Sequence, residues 1–134
     1  MKVAIVGAGA MGAGIAQVAA AAGEEVLLFD ARAQAAEQAI TSVRARFQQL
    51  AAKGRLTSEQ AEAAGRRLAP ATAVKDLAPA ELVIEAIVED LEAKRTLLRA
   101  LDAVLSPSCL IATNTSSLSL AALAAALRAP ERLV

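Results

Sequence analysis

Gly7-Ala8-Gly9-Ala10-Met11-Gly12 reads G-x-G-x-x-G, a spacing at which a strand can turn tightly into a helix and present backbone amides to a pyrophosphate. Each glycine has a task in that chemistry. Gly7 serves the turn, Gly9 lets the backbone approach the phosphates, and Gly12 lets the helix pack closely on the strand. Ala10 and Met11 open the helix, whose first amides and positive dipole end face the anion. In an alanine-rich chain the bare pattern also fits a flexible turn, so context decides. Asp30 supplies it, lying 18 residues after Gly12, close to the ~20 at which a carboxylate accepts from a ribose 2′-hydroxyl. Such a carboxylate repels a 2′-phosphate, so the cofactor expected is NAD and not NADP. Arg32 is the kind of residue that accepts a 2′-phosphate, and is otherwise a solvated cap of the next helix.

The elements that must position these groups alternate along the chain. Lys2 to Val6 is an apolar, β-branched run closed by Gly7, which predicts a buried parallel strand. Ala10 to Ala22 predicts a helix ended by Gly23, and Glu25 to Phe29 a second strand ending at Asp30. A helical stretch from about Ala33 to Ala52 stops at Gly54. Thr57-Ser58-Glu59-Gln60 then fits a capping box that opens another helix, to about Leu68. A short strand is expected near Ala71 to Val74, and a core strand over Leu82 to Ala86. Asp90 is placed to cap a helix with Leu91, Leu98, Leu101 and Leu105 on one face, ended by Ser106-Pro107. Cys109 to Ala112 predicts a strand, Thr113 to Ser117 a polar turn, and Ser119 to Leu127 a short helix. Arg132 to Val134 looks like the start of a further strand. The alternation predicts an α/β fold: a doubly wound parallel sheet, Rossmann-like, with a helical hairpin inserted after the second strand. Ligands then sit at the carboxyl ends of the strands.

Composition narrows the chemistry further. The 134 residues make one domain, 56% hydrophobic, with 36 alanines, two Phe and neither Trp nor Tyr. Lys and Arg total 14 against 14 Asp and Glu, which gives no electrostatic support for a nucleic-acid partner. No run is long and apolar enough for a membrane span, and the N-terminus enters a strand pattern directly. One cysteine excludes an intrachain disulfide, and the absence of histidine removes the commonest metal ligand, so no metal site is expected. Cys109 falls in a predicted buried strand and reads as a small core residue. The lone thiol favours a cytoplasmic protein.

Glu85-Ala86-Ile87-Val88-Glu89, then Lys94, then Asn114-Thr115-Ser116-Ser117-Leu118 form a more selective constellation. A carboxylate on a loop at a strand's carboxyl end suits a ribose hydroxyl, and Glu89 also reads as a solvated loop acid. Lys94 also reads as the partner of Asp90 in an i,i+4 surface pair, typically worth only ~0.2–0.5 kcal/mol. Together with VGAGAMGAGIAQ, the inserted hairpin, EAIVEDLEAK and TNTSSL, these residues make the whole chain resemble the N-terminal NAD-binding domain of the 3-hydroxyacyl-CoA dehydrogenases.

The resemblance implies an NAD-dependent oxidoreductase acting on a CH–OH group, interconverting 3-hydroxyacyl-CoA and 3-oxoacyl-CoA in fatty-acid or related acyl-CoA metabolism. It puts Ala86 and Glu89 beside the nicotinamide ribose and Lys94 near the coenzyme. It has Asn114 placing the nicotinamide, and Ser116 hydrogen-bonding the substrate's 3-oxygen. A hydroxyl there donates to the ketone or accepts from the alcohol. One of Ser116, Ser117 and Ser119 could instead cap the last helix, and Ser119 is the better placed. On the hairpin, Arg44, Arg46, Lys53 and Arg55 either meet CoA phosphates or form a solvated face, with seven positive against three negative charges from Ala31 to Ala69.

Oxidation of a secondary alcohol needs a base for the hydroxyl proton. The family's histidine, with its orienting glutamate, follows a stretch like Arg132-Leu133-Val134, and this chain contains no histidine. Residues 1–134 are therefore expected to be a C-terminally incomplete NAD-binding domain with its hairpin over about 33–69, lacking the family's C-terminal helical domain. Such a chain binds NAD without turnover. The full-length enzyme is expected to take an acyl-CoA and to be a homodimer. A non-catalytic NAD-binding module and a dehydrogenase of a non-CoA hydroxy acid are the alternative readings.

Overall fold

Val3 to Val6 are all buried in β1 (Lys2–Val6), because helices cover both faces of the sheet that this strand centres. The computed structural model describes all 134 residues. It contains five parallel strands in the order β3-β2-β1-β4-β5. The other strands are β2 (Glu25–Phe29), β3 (Leu68–Pro70), β4 (Leu82–Glu85) and β5 (Leu110–Thr113); the helices are α1 (Ala10–Ala21), α2 (Ala35–Ala52), α3 (Ser58–Arg66), α4 (Leu91–Val104) and α5 (Leu120–Ala124). The predicted doubly wound topology is what forms.

Two apolar clusters hold it together. On one face, α1 sets Ala13, Ala16 and Ala20 against Val3 and Ile5, and α2 and α3 add Ile40, Val43, Phe47, Ala61 and Ala64. Phe47 is fully buried, a contribution of about 1.5–3 kcal/mol. On the other face, Leu98 and Leu101 of α4 pack with Val83, Ile111, Leu77 and Leu123. Cys109 lies in this second core, where burial pushes its thiol pKa up.

Several boundaries differ from the sequence expectation. The third strand forms at Leu68–Pro70 and not at Ala71–Val74, which instead lead into a 3-10 turn over Val74–Leu77. Leu68 is the buried residue, pairing with Val26, and Pro70 is tolerated because β3 is an edge strand. The hairpin helices therefore occupy 35–66. α2 starts two residues late, behind Gln34, which takes a left-handed φ of 63°. The capping box forms as expected, with Gln60 N–H donating to the Thr57 hydroxyl and Thr57 N–H donating to the Gln60 side chain. β4 stops at Glu85, one residue early; β5 begins one residue late, at Leu110; and α5 ends at Ala124 rather than Leu127. Leu133 bridges Ile111 in parallel, the expected start of a further strand.

β1 leads into α1 on one face, and β4 leads into α4 on the other. The strand order reverses between them, and their carboxyl ends open the crevice where such sheets bind ligands.

Candidate functional site

The loop after β1 is built so that its glycines cannot be exchanged freely. Gly7 has φ +110°, and a Cβ there would stand 2.4 Å from the Ala86 carbonyl oxygen. A Cβ on Gly12 would stand 1.7 Å from the Gly7 carbonyl oxygen, so α1 lies directly against the loop. Gly9 is different: a Cβ there meets nothing within 4 Å. No protein contact demands glycine at position 9, and the space before it is open. Gly9 is also the N-cap of α1 and caps with no side chain, which leaves the first-turn amides at Ala10 and Met11 available. The arrangement suits a pyrophosphate.

Asp30 ends β2 beside this loop, only 10% exposed at its side chain. Its Oδ2 accepts from the Ala8 amide at 2.8 Å, tying the carboxylate to the loop. Arg32 closes over the same carboxylate, Nε to Oδ1 and Nη2 to Oδ2 both at 3.0 Å. The Arg32 guanidinium, helped by the Ala8 amide and opposed by partial burial, holds Asp30 down to about 2. Arg32 is thus the immediate partner of Asp30 rather than a helix cap. A groove of about 330 Å³ runs from Ala8 and Gly9 past Arg32 to Gln38, Ser42 and Arg46. The 470 Å³ cleft between Ala21–Gly23 and α3 lies at the far end of α1 and holds none of these groups.

A polar cluster lies across the crevice, at the ends of β4 and β5. Glu85 and Lys94 are each 1% exposed. Lys94 Nζ stands 3.0 Å from Glu85 Oε2 and 3.0 Å from Glu89 Oε1, and donates to Asn114 Oδ1 at 3.4 Å. Glu89 in turn accepts from the Thr115 hydroxyl at 2.8 Å, the Ser116 amide at 3.2 Å and the Ser117 hydroxyl at 3.0 Å. Lys94 foremost, then the Thr115 hydroxyl, draw Glu89 down to about 2. Ser119 caps α5 by accepting from Ala122 N–H at 3.2 Å. The Ser116 hydroxyl is exposed and makes no hydrogen bond to the protein.

The sequence model of the 3-hydroxyacyl-CoA dehydrogenase NAD-binding domain matches residues 2–134. The chain belongs to this family. It is 47% identical over 131 residues to a 3-hydroxyadipyl-CoA dehydrogenase of Escherichia coli, covering 98% of this chain and 28% of that protein. It is 41% identical over 133 residues to a 3-hydroxybutyryl-CoA dehydrogenase of Bradyrhizobium diazoefficiens, covering 99% and 45%. The crystal structure of a 3-hydroxybutyryl-CoA dehydrogenase from Escherichia coli K12 superposes with a TM-score of 0.95 at 47% identity, over 99% of this chain and 28% of the other. The chain thus spans between about a quarter and a half of the length of these relatives.

As a 3-hydroxyacyl-CoA dehydrogenase NAD-binding domain, the chain has residues that fit its coenzyme. Open space before Gly9, uncapped amides on α1 and an ionised Asp30 suit the pyrophosphate and a ribose. The structure brings Gly7, Gly9, Ala10, Met11, Gly12 and Asp30 together at the ends of β1 and β2, and Glu89, Asn114 and Ser116 at the ends of β4 and β5. Ala86 lies directly against Gly7, and Lys94 is buried beneath its partners Glu85, Glu89 and Asn114. Three readings left open by the sequence are decided by the structure. Lys94 does not pair with Asp90, whose carboxylate caps α4 through Ala93 N–H at 2.7 Å. Glu89 is not a free loop acid, since the 115–117 turn occupies it. Arg44 is spent on the Gly65 and Leu68 carbonyls, both at 2.9 Å, so it braces the hairpin. Sequence reading missed the role of Glu85. Its signal was an acidic residue on the inward face of an otherwise apolar strand, one helix turn into reach of a lysine.

Proposed function

We propose that this chain is the coenzyme-binding part of an NAD-dependent L-3-hydroxyacyl-CoA dehydrogenase. When bound, NAD supplies the hydride acceptor at C4 of its nicotinamide. The chain's own residues bind and orient. The first-turn amides of α1 and the loop at Gly9 hold the pyrophosphate, and Asp30 accepts from the adenosine ribose. Ala86, Glu89 and Lys94 line or brace the nicotinamide side, Asn114 offers its amide there, and Ser116 holds the substrate's 3-oxygen.

One observation supports an enzyme over a simple binder. The Ser116 hydroxyl is exposed and free of protein partners, on a turn that Glu89 fixes from beneath. A hydroxyl fixed in place but unspent can donate to a developing alkoxide or accept from an alcohol. With no histidine among its 134 residues, the chain lacks the usual base for the alcohol proton. We assign acyl-CoA as the substrate partner of the full dehydrogenase, homodimer as its assembly and the cytoplasm as its location, with no nucleic-acid partner. No helix is long and apolar enough to cross a membrane.

The test uses the pure chain with NADH and acetoacetyl-CoA. Saturable NADH binding without NADH consumption is the expected result. Consumption of NADH would overturn the division of labour, and absence of NADH binding would overturn the coenzyme assignment.

A further inference from the structure

We propose that Glu85 is a positioning residue for the nicotinamide end of the crevice, acting through Lys94 and Thr113 on the 113–117 segment. The inference rests on the coenzyme reading above and adds a residue to it.

Glu85 occupies the last position of β4, and its side-chain bonds reach toward the site. Its Oε1 accepts from the Ile87 amide at 2.8 Å, fixing the turn that carries Ala86. Its Oε2 accepts from the Thr113 hydroxyl at the end of β5 and from Lys94 Nζ at 3.0 Å. Its backbone carbonyl accepts from the Asn114 amide at 3.1 Å. One residue thus locks the ends of β4 and β5 together by main chain and side chain.

The consequence reaches Asn114 through the ammonium. Lys94 has three N–H donors, matching its three acceptors: Glu85, Glu89 and the Asn114 side-chain oxygen. With Oδ1 taken from within, the exposed Asn114 amide keeps its Nδ2 donors unspent on the crevice side. Without the Glu85 carboxylate, Lys94 has one charged partner, the outlying Glu89, and no anchor holding it under Asn114. Asn114 then loses the contact that fixes its rotamer, while the glycine loop and Asp30 keep every bond they have.

That asymmetry defines the test. ADP-ribose keeps the adenosine, the pyrophosphate and the second ribose of the coenzyme and lacks only the nicotinamide ring. Calorimetric titrations of NAD and of ADP-ribose into the 134-residue chain and its Glu85→Gln variant separate the contact with the nicotinamide ring, where Asn114 stands, from the rest of the site. The expected result is an NAD affinity weakened about tenfold, the loss of one charge-assisted contact, with ADP-ribose binding unchanged. Should Glu85→Gln fail to fold, Glu85→Asp carries the same comparison, because it keeps a carboxylate on β4 and shortens its reach to Lys94 and Thr113. A variant that binds both ligands as the parent does overturns the proposal, and so does one that loses both equally, which marks a general structural role. A parent chain that binds neither ligand overturns the coenzyme reading itself.

Discussion

The guanidinium of Arg32 lies on the carboxylate of Asp30 through two 3.0 Å bonds, at the point where the coenzyme reading requires a ribose. Arg32 is 70% exposed at its side chain, and so is free to swing aside, whereas Asp30 is anchored by Ala8. Arg32→Ala is therefore expected to leave NADH affinity within about threefold, since exposed pairs are worth about 0–1 kcal/mol. Asp30→Ala is expected to weaken NADH by about tenfold or more and to erase the preference over NADPH. Parallel fluorescence titrations with the two reduced coenzymes check both, free of Trp and Tyr background.

Acid should loosen the crevice. Glu89 falls from 4.5 to about 2 on folding, and Asp30 from 3.8 to about 2. A depressed carboxylate gives stability that is complete above its unfolded pKa and lost as pH falls through the folded one. Thermal midpoints are thus expected to hold their Glu89 and Asp30 contribution down to about pH 4.5 and shed it between there and about pH 2. Glu89→Gln is expected to flatten that descent. An identical descent in the variant would contradict the assignment.

Lys94 is expected to be costly to remove alone. Lys94→Met removes the ion-pair partner of the buried Glu85 side chain, a change of about 3–5 kcal/mol. Adding Glu85→Gln removes the orphaned carboxyl group and is expected to recover much of that loss. Urea unfolding of the single and double variants measures the coupling.

The fold was readable because periodicity and punctuation agreed: apolar runs closed by Gly7 and Asp30, a capping box at Thr57, and Asp90 at the head of α4. The displaced third strand shows the limit. Leu68-Ala69-Pro70 has no alternation to distinguish it from a helix end, and only its pairing with Val26–Leu28 makes it a strand. At the site, local spacing revealed the glycine loop, and the turn residues were found by resemblance. That Glu89 faces the turn and Arg44 braces the hairpin depends on contacts across 21 to 28 residues, which no local pattern encodes.

The open space before Gly9 is where the coenzyme's pyrophosphate is expected to lie. Gly9→Val tests it, because a Cβ there meets nothing within 4 Å and the added methyl groups intrude on that space. Titration of NADH into parent and variant, with circular dichroism confirming the fold of each, is the direct measurement. Saturable binding by the parent and a loss of at least about tenfold in a folded variant are expected. Equal binding by the two folded proteins would contradict that placement.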